Sequence, residues 1–182
     1  KAGFLEGDFR ALAQDEEKLR QVLAFLRVGG SGSAQQNIID CDAVPVIPNG
    51  LRIEESDQLS GRVRGQFVFD NKIKLYLSRN QQDGQIMKGT ELIKELANEP
   101  VLPANVLDYW LKNPHLIPDE LKKDANGCTL HIFFFGTIYR GSRGRLYVRC
   151  LCWDGVRWYL HYRWLGDGWH DNSPAALRAS ST

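Results

Sequence analysis

The stretch HIFFFGTIYRGSRGRLYVRCLCWDGVRWYLHYRWLGDGWHDNSPAALRAS, His131–Ser180, decides the fold. Four of the five Trp lie in it: Trp153, Trp158, Trp164 and Trp169. Side chains alternate across a strand. In Leu146–Trp153, therefore, Leu146, Val148, Cys150 and Cys152 point one way, and Tyr147, Arg149, Leu151 and Trp153 the other. In the next run Trp158, Leu160, Tyr162 and Trp164 share one face, and Tyr159, His161 and Arg163 share the opposite face. Asp154-Gly155 between the runs tolerates the positive φ of a tight hairpin, and Gly141-Ser142-Arg143-Gly144 turns the chain one strand earlier. The pattern predicts three antiparallel strands in meander, an aromatic loop over Gly166–Ser173 and a short last strand at Ala175–Ala179.

The same stretch is marked by what it lacks. From Cys128 to Thr182, 55 residues, there is no Lys, Glu, Gln or Met. The first 127 residues hold 9 Lys, 9 Glu, 9 Gln and 1 Met, and at that rate about 12 such residues belong in the tail. Strand propensity disfavours Lys and Glu, which explains a shortage better than an absence. The tail is instead rich in aromatic, Arg, His, Asp, Asn, Ser and Gly residues. That is the composition of a recognition surface, where Tyr and Trp supply rigid area and small polar residues supply adaptable hydrogen bonds.

At 182 residues and 43% hydrophobic content the chain is one domain with a real core, or one domain with a small appendage. The net charge of +1 gives no global argument for nucleic-acid binding. The charge is uneven: residues 1–127 carry a net −3, and the tail, with seven Arg against three Asp, a net +4. No apolar run approaches the ~18 residues of a membrane span, and no secretory signal opens the sequence. Of the four Cys, none forms a CxxC, and Cys150 and Cys152 sit two apart on one strand face, too far apart for an ordinary disulfide. All four read as reduced, buried, structural thiols, which favours the cytoplasm.

Ahead of the tail, residues 4–28 show apolar residues at helical spacing, and Gly29–Ser33 breaks that helix as a flexible linker. The layout is a helical arm (1–28) suited to self-association or to packing on its own domain, a linker (29–37) and a main domain (38–182). Ile38–Asp42, Gly65–Asp70 and Ile73–Ser78 alternate as short strands, and Gln81–Gly84 turns the chain. Thr90–Leu96 and Asn105–Leu111 are short helices, the second capped by Asn105 and ended by Asn113-Pro114, and Pro118–Leu121 starts one more turn. Short helices followed by an aromatic antiparallel sheet make an α+β order.

No GxSxG, no GxGxxG opening a helix and no P-loop occurs. Cys128 near His131 offers a nucleophile and a base, but three residues apart at the start of a strand they need not meet. Asp40 and Asp42 on one strand face, or Asp167 and Asp171 with Asn172 in the loop, form thin oxygen ligand sets. Neither is read as a metal site, and no cofactor is expected. An enzyme with a small site near Cys128 and His131 remains one alternative. Single-strand nucleic-acid binding by stacking on the Arg and aromatic tail is another.

The segments IDCDA at Ile39–Ala43, KLYLS at Lys74–Ser78, NVLDY at Asn105–Tyr109, NPHLIP at Asn113–Pro118, GTIYR at Gly136–Arg140 and PAA at Pro174–Ala176 resemble a set of small bacterial proteins over most of residues 39–180. The chain departs from their frame at Leu160, where they more often carry Trp. Their interchangeable positions fall in the tail and exchange among Asn, Asp, Tyr, Ser, Gly, His, Cys and Arg. That habit resembles the target proteins of diversity-generating retroelements. In those systems template adenines are copied with errors, so Asn codons spread but Lys, Glu, Gln, Met and Trp cannot arise. The resemblance implies a C-type-lectin-like domain, no enzymatic activity, and a protein or other macromolecular ligand held by a variable region over about 141–173. Carried over by position, the variable residues are Arg143, Arg145, Tyr147, Cys150, Cys152, Asp154, Val156, Tyr159, His161, Tyr162, Arg163, Asp167, His170, Asp171, Asn172 and Ser173. The four tail Trp are then scaffold.

Overall fold

The computed structural model describes residues 37–69 and 73–179. The helix at 4–28, most of the linker and Asp70 lie outside the described residues. The strands are β1 (Asn37–Asp40), β2 (Arg52–Ile53), β3 (Gln66–Phe69), β4 (Ile73–Tyr76), β5 (Met87–Lys88), β6 (His131–Arg140), β7 (Leu146–Trp153), β8 (Trp158–Trp164), β9 (Gly168–Trp169) and β10 (Ala175–Arg178). Two α-helices, α1 (Gly89–Glu95) and α2 (Ala104–Lys112), stand between β5 and β6. The described chain is thus a mixed α+β protein, mostly sheet.

The main sheet runs in the order β4-β10-β6-β7-β8, with β2 also on β6. The β6–β7–β8 meander follows the alternation and the two turn signals. The last strand behaves less locally. β10 inserts between β4, antiparallel, and β6, parallel at Ala175–Phe133, so the chain's end closes the sheet on its middle. Two smaller ladders, β1-β3 and β5-β9, flank it.

β6 is buried from Ile132 to Tyr139 because both of its faces are covered. Ile132 and Phe134 enter one core with Leu107 and Trp110 of α2, Leu151, Ala176 and the aromatic pair Phe67 and Phe69. Trp110 meets Phe69 and Phe134 edge-on, with ring centroids 5.3 and 6.1 Å apart. Phe133 and Phe135 enter a second core with Leu92 of α1, Leu96 at its C-cap, Val148, Cys150, Cys152 and Trp169. Trp169 packs on Phe133 at 4.0 Å and Phe135 at 5.2 Å.

Between Phe133 and Ile138 the β6–β7 register shifts, and Gly136 sits in this irregularity. A Cβ there would lie 2.6 Å from the backbone of Leu102 and Pro103, so the close approach of that segment requires glycine. Gly136 donates its N–H to Leu102 O at 3.0 Å. Thr137, next along, accepts the Ala104 N–H with its hydroxyl at 3.0 Å and so satisfies the start of α2. The expected cap, Asn105, lies inside that helix instead. Pro103 occupies the N-cap, and the Asn105 amide donates to Asp40 O and Ala43 O at 3.0 and 2.8 Å.

Candidate binding surface

β8 is the last strand of the main sheet, and no described strand pairs with its outer edge. Its pairing with β7 runs without a shift from Tyr147–Trp164 to Trp153–Trp158, so residues opposite each other share a face. One face carries Val148, Cys150 and Cys152 with Arg163, His161 and Tyr159. The other carries Tyr147, Arg149, Leu151 and Trp153 with Trp164, Tyr162, Leu160 and Trp158. On β7 both faces are filled from the two cores. On β8 neither is: Tyr159, Leu160 and Trp164 are each 39% exposed, and Tyr162 is 42% exposed.

The sixteen sequence-predicted residues divide by depth. Arg143, Arg145, Asp154, Val156, Tyr159, His161, Tyr162, Asp167, His170 and Asp171 are exposed. Tyr147, Arg163 and Asn172 are half-buried. Cys150, Cys152 and Ser173 are fully buried, beneath the exposed positions rather than among them. The reason is that the Cys150–Cys152 face of β7 packs in the second core with α1. The two sulfurs lie 3.6 Å apart as free thiols. Their mutual hydrogen bond, then burial, push the Cys150 thiol up.

Polar bonds tie the loop after β8 to these buried positions. Arg163 donates to Ser173 Oγ at 3.2 Å and to Gly168 O at 3.4 Å, with its guanidinium over the rings of Phe133 and Trp169 at 5.3 and 5.4 Å. Asn172 donates to Thr129 O at 3.2 Å, and its carbonyl accepts the Ser173 hydroxyl. Gln81, buried after β4, donates to His170 O and Ser173 O at 3.0 and 3.1 Å. Position-by-position reading of the tail misses Gln81, because its partners lie about ninety residues further on.

At one end of β8, Arg145 lies over the Trp164 ring at 5.1 Å, and Tyr147 meets Tyr162 edge-on at 6.0 Å. Arg143 beside them adopts φ 60° and ψ 22°, the left-handed region. At the other end Trp153 and Trp158 pair across the hairpin at 5.3 Å, and Lys122 covers Trp153. The Asp154 carboxylate accepts the N–H groups of Val156 and Arg157, which hold its pKa below the ordinary value. Of the four tail Trp, Trp169 is core, Trp153 and Trp158 are half-buried, and Trp164 is exposed. Trp164 stays outside both cores: its ring packs against Gly166, whose missing side chain leaves the room, and is 39% exposed.

β7 is pinned to α2 by a buried ion pair. Arg149 donates to Asp108 Oδ1 at 2.7 Å, to Val46 O at 3.1 Å and to the Tyr139 hydroxyl at 3.3 Å. Burial works against the charge, but the bonds to Asp108 and Tyr139 outweigh it and raise the Arg149 pKa.

Cys128 is exposed, contrary to the expectation of four buried thiols, and its backbone N–H bonds Asp124. His131 Nδ1 is buried with no hydrogen-bond partner. Asp40 accepts the N–H groups of Asp42 and Ala43 within one turn, and Asp42 accepts that of Gly65, 23 positions on, so both carboxylates are engaged by backbone. Among the described residues no three His, Cys, Asp or Glu side chains group as metal ligands do. No described helix is long and apolar enough to cross a membrane. Compared with protein-family models, with curated proteins and with solved structures, the chain finds no match.

Proposed function

We propose that this chain is a ligand-binding protein that displays a diversified C-terminal surface, of the kind carried by the variable proteins of diversity-generating retroelements on a C-type-lectin-like scaffold. The observation that carries the reading is β8, a seven-residue strand with aromatic side chains open to solvent on both faces. Folding alone does not call for a cluster of half-exposed Trp, Tyr and Leu, whereas recognition does. Two further features support it. Ten of the sixteen interchangeable positions are exposed. Arg143 stands in a left-handed conformation that suits Asn, the residue from which such diversification starts.

The test is made at the locus. Beside the coding region, a reverse-transcriptase gene and an imperfect repeat of the 3′ coding end are expected. Mismatches should fall where the repeat carries adenine, at the codons of Tyr159, His161, Tyr162 and their companions. The codons of Trp153, Trp158, Trp164 and Trp169 should match. The absence of any repeat, or mismatches scattered over all four bases, overturns the proposal.

A further inference from the structure

We infer that β8 takes its partner by strand addition: an extended peptide segment bearing Asp or Glu pairs with the open backbone edge of β8, and its carboxylates meet Arg143 and Arg145. This rests on the binding reading above and names how the site binds and what class of ligand it takes.

The backbone carries the first part. Leu165 donates its N–H to Leu146 O at 2.9 Å, and Asp154 donates to Arg157 O at 3.2 Å, so both are bonded pairs of the β7–β8 ladder. Bonded pairs recur at every second residue of an antiparallel ladder. Arg157, Tyr159, His161, Arg163 and Leu165 therefore turn their backbone groups toward β7. Trp158, Leu160, Tyr162 and Trp164 turn theirs outward, and no described strand meets them. Proteins ordinarily blunt such an edge with Lys, Pro, a bulge or shortness. β8 has seven residues, no Lys, no Pro and an unbroken register. The opposite edge, β4, has four residues and carries Lys74. Strand addition uses such an edge, main-chain bonds giving affinity and side chains on both faces giving specificity.

Charge carries the second part. Arg143 and Arg145 are exposed at the Trp164 end of β8. Among the described residues neither has a carboxylate within ion-pair distance, whereas Arg149 and Arg157 each have one and Arg140 has two. A recess of about 290 Å³ opens there between Thr90, Arg143, Arg145, Leu146, Trp164 and Leu165, with no acidic residue in its lining. Two guanidinium groups with no described carboxylate beside them, that of Arg145 lying over the Trp164 ring, select carboxylates.

The experiment selects a phage-displayed library of random 12-residue peptides on the immobilised full chain. The best peptide is then titrated on the parent, Leu160→Ala, Leu160→Pro and Arg143→Ser/Arg145→Ser. Proline at Leu160 removes only an outward N–H and leaves the β7–β8 bonds in place, as edge strands allow. Expected are peptides enriched in Asp and Glu, at least a tenfold affinity loss in Leu160→Pro and in the double Arg variant, and less than threefold in Leu160→Ala. Addition of the peptide should also slow amide exchange at Leu160 and Tyr162. If Leu160→Pro does not fold, the peptide is methylated on the backbone nitrogens of alternate residues. One alternate set should abolish binding to the parent and the other should not. Selection of basic or uncharged peptides, equal binding by Leu160→Pro, or indifference to both methylated sets overturns the inference. So does a chain dimer that Leu160→Pro dissociates, because a second copy then holds the edge. If the repeat is present and the edge takes no peptide, only the mode of binding falls. If the peptide binds and no repeat exists, diversification falls and the edge stands.

Discussion

Arg143 holds a backbone conformation that its side chain disfavours. At φ 60° a non-glycine residue crowds its Cβ against its own carbonyl, at a cost of roughly 1–2 kcal/mol that Asn partly avoids. Arg143→Asn is therefore expected to stabilise the fold by about 1 kcal/mol in urea melts, and a destabilised variant removes the conformational argument. The Trp residues separate in the same way. Trp169, fully buried against Phe133 and Phe135, should lose about 3–5 kcal/mol on truncation to Ala. Trp164, exposed over Gly166, should lose no more than about 1 kcal/mol. Equal losses in side-by-side melts erase that distinction. His131 adds a pH dependence. Burial, then the charges of Arg163 and His161, hold its pKa below 6.5. The folded state thus resists protonation more than the unfolded chain does, so stability is full above 6.5 and falls as pH drops toward the lowered value. His131→Phe should flatten the melting temperature between pH 7 and 5, and an unchanged slope assigns the acid sensitivity elsewhere.

Between elements, the Arg149–Asp108 pair joins β7 to α2 inside the first core. Removing one partner of a buried pair strands the other charge and costs about 3–5 kcal/mol, whereas replacing both by apolar residues is often neutral. Asp108→Asn should be strongly destabilised and Arg149→Met/Asp108→Leu close to the parent in denaturant titrations. If the double variant is as unstable as the single one, the bonds to Val46 and Tyr139 matter more than the charge. This pair also marks where the sequence stops being legible. The meander could be read because strand alternation and the Asp154-Gly155 turn are local. Arg149 looked like one more strand residue because its carboxylate is 41 positions away. Asn105 obeyed the local capping rule, yet distant carbonyls at Asp40 and Ala43 claim its amide. The two-sided burial of β7, which sinks Cys150 and Cys152, depends on α1 and α2 lying on opposite faces of the sheet, and alternation alone carries no sign of that.

On the scale of the whole molecule, a surface can be diversified only where the fold does not lean on it. The candidate positions fall into two sets that are tested against each other. Arg145, Tyr159, His161, Tyr162 and His170 are exposed, and apart from the Tyr159 hydroxyl, which meets the Cys152 thiol of β7, no described hydrogen bond from their side chains holds another element. Such substitutions usually stay within roughly 0.5 kcal/mol each. The fivefold variant Arg145→Ser, Tyr159→Ser, His161→Asn, Tyr162→Ser, His170→Asn should therefore melt within a few degrees of the parent. Arg163 and Asn172 are anchored. The first bonds Ser173 and Gly168 and lies over two aromatic rings, and the second bonds Thr129. A charged hydrogen bond is worth about 1.5–3 kcal/mol and a neutral one about 1, with roughly 0.5–2 more from the ring contacts. Arg163→Ser/Asn172→Ser should therefore lose about 3–6 kcal/mol, more from two changes than from the other five together. Calorimetric melts of the three proteins decide it. If the five exposed changes unfold the chain while the two anchored ones are silent, the fold depends on β8's outer residues, and a surface built to vary cannot lie there.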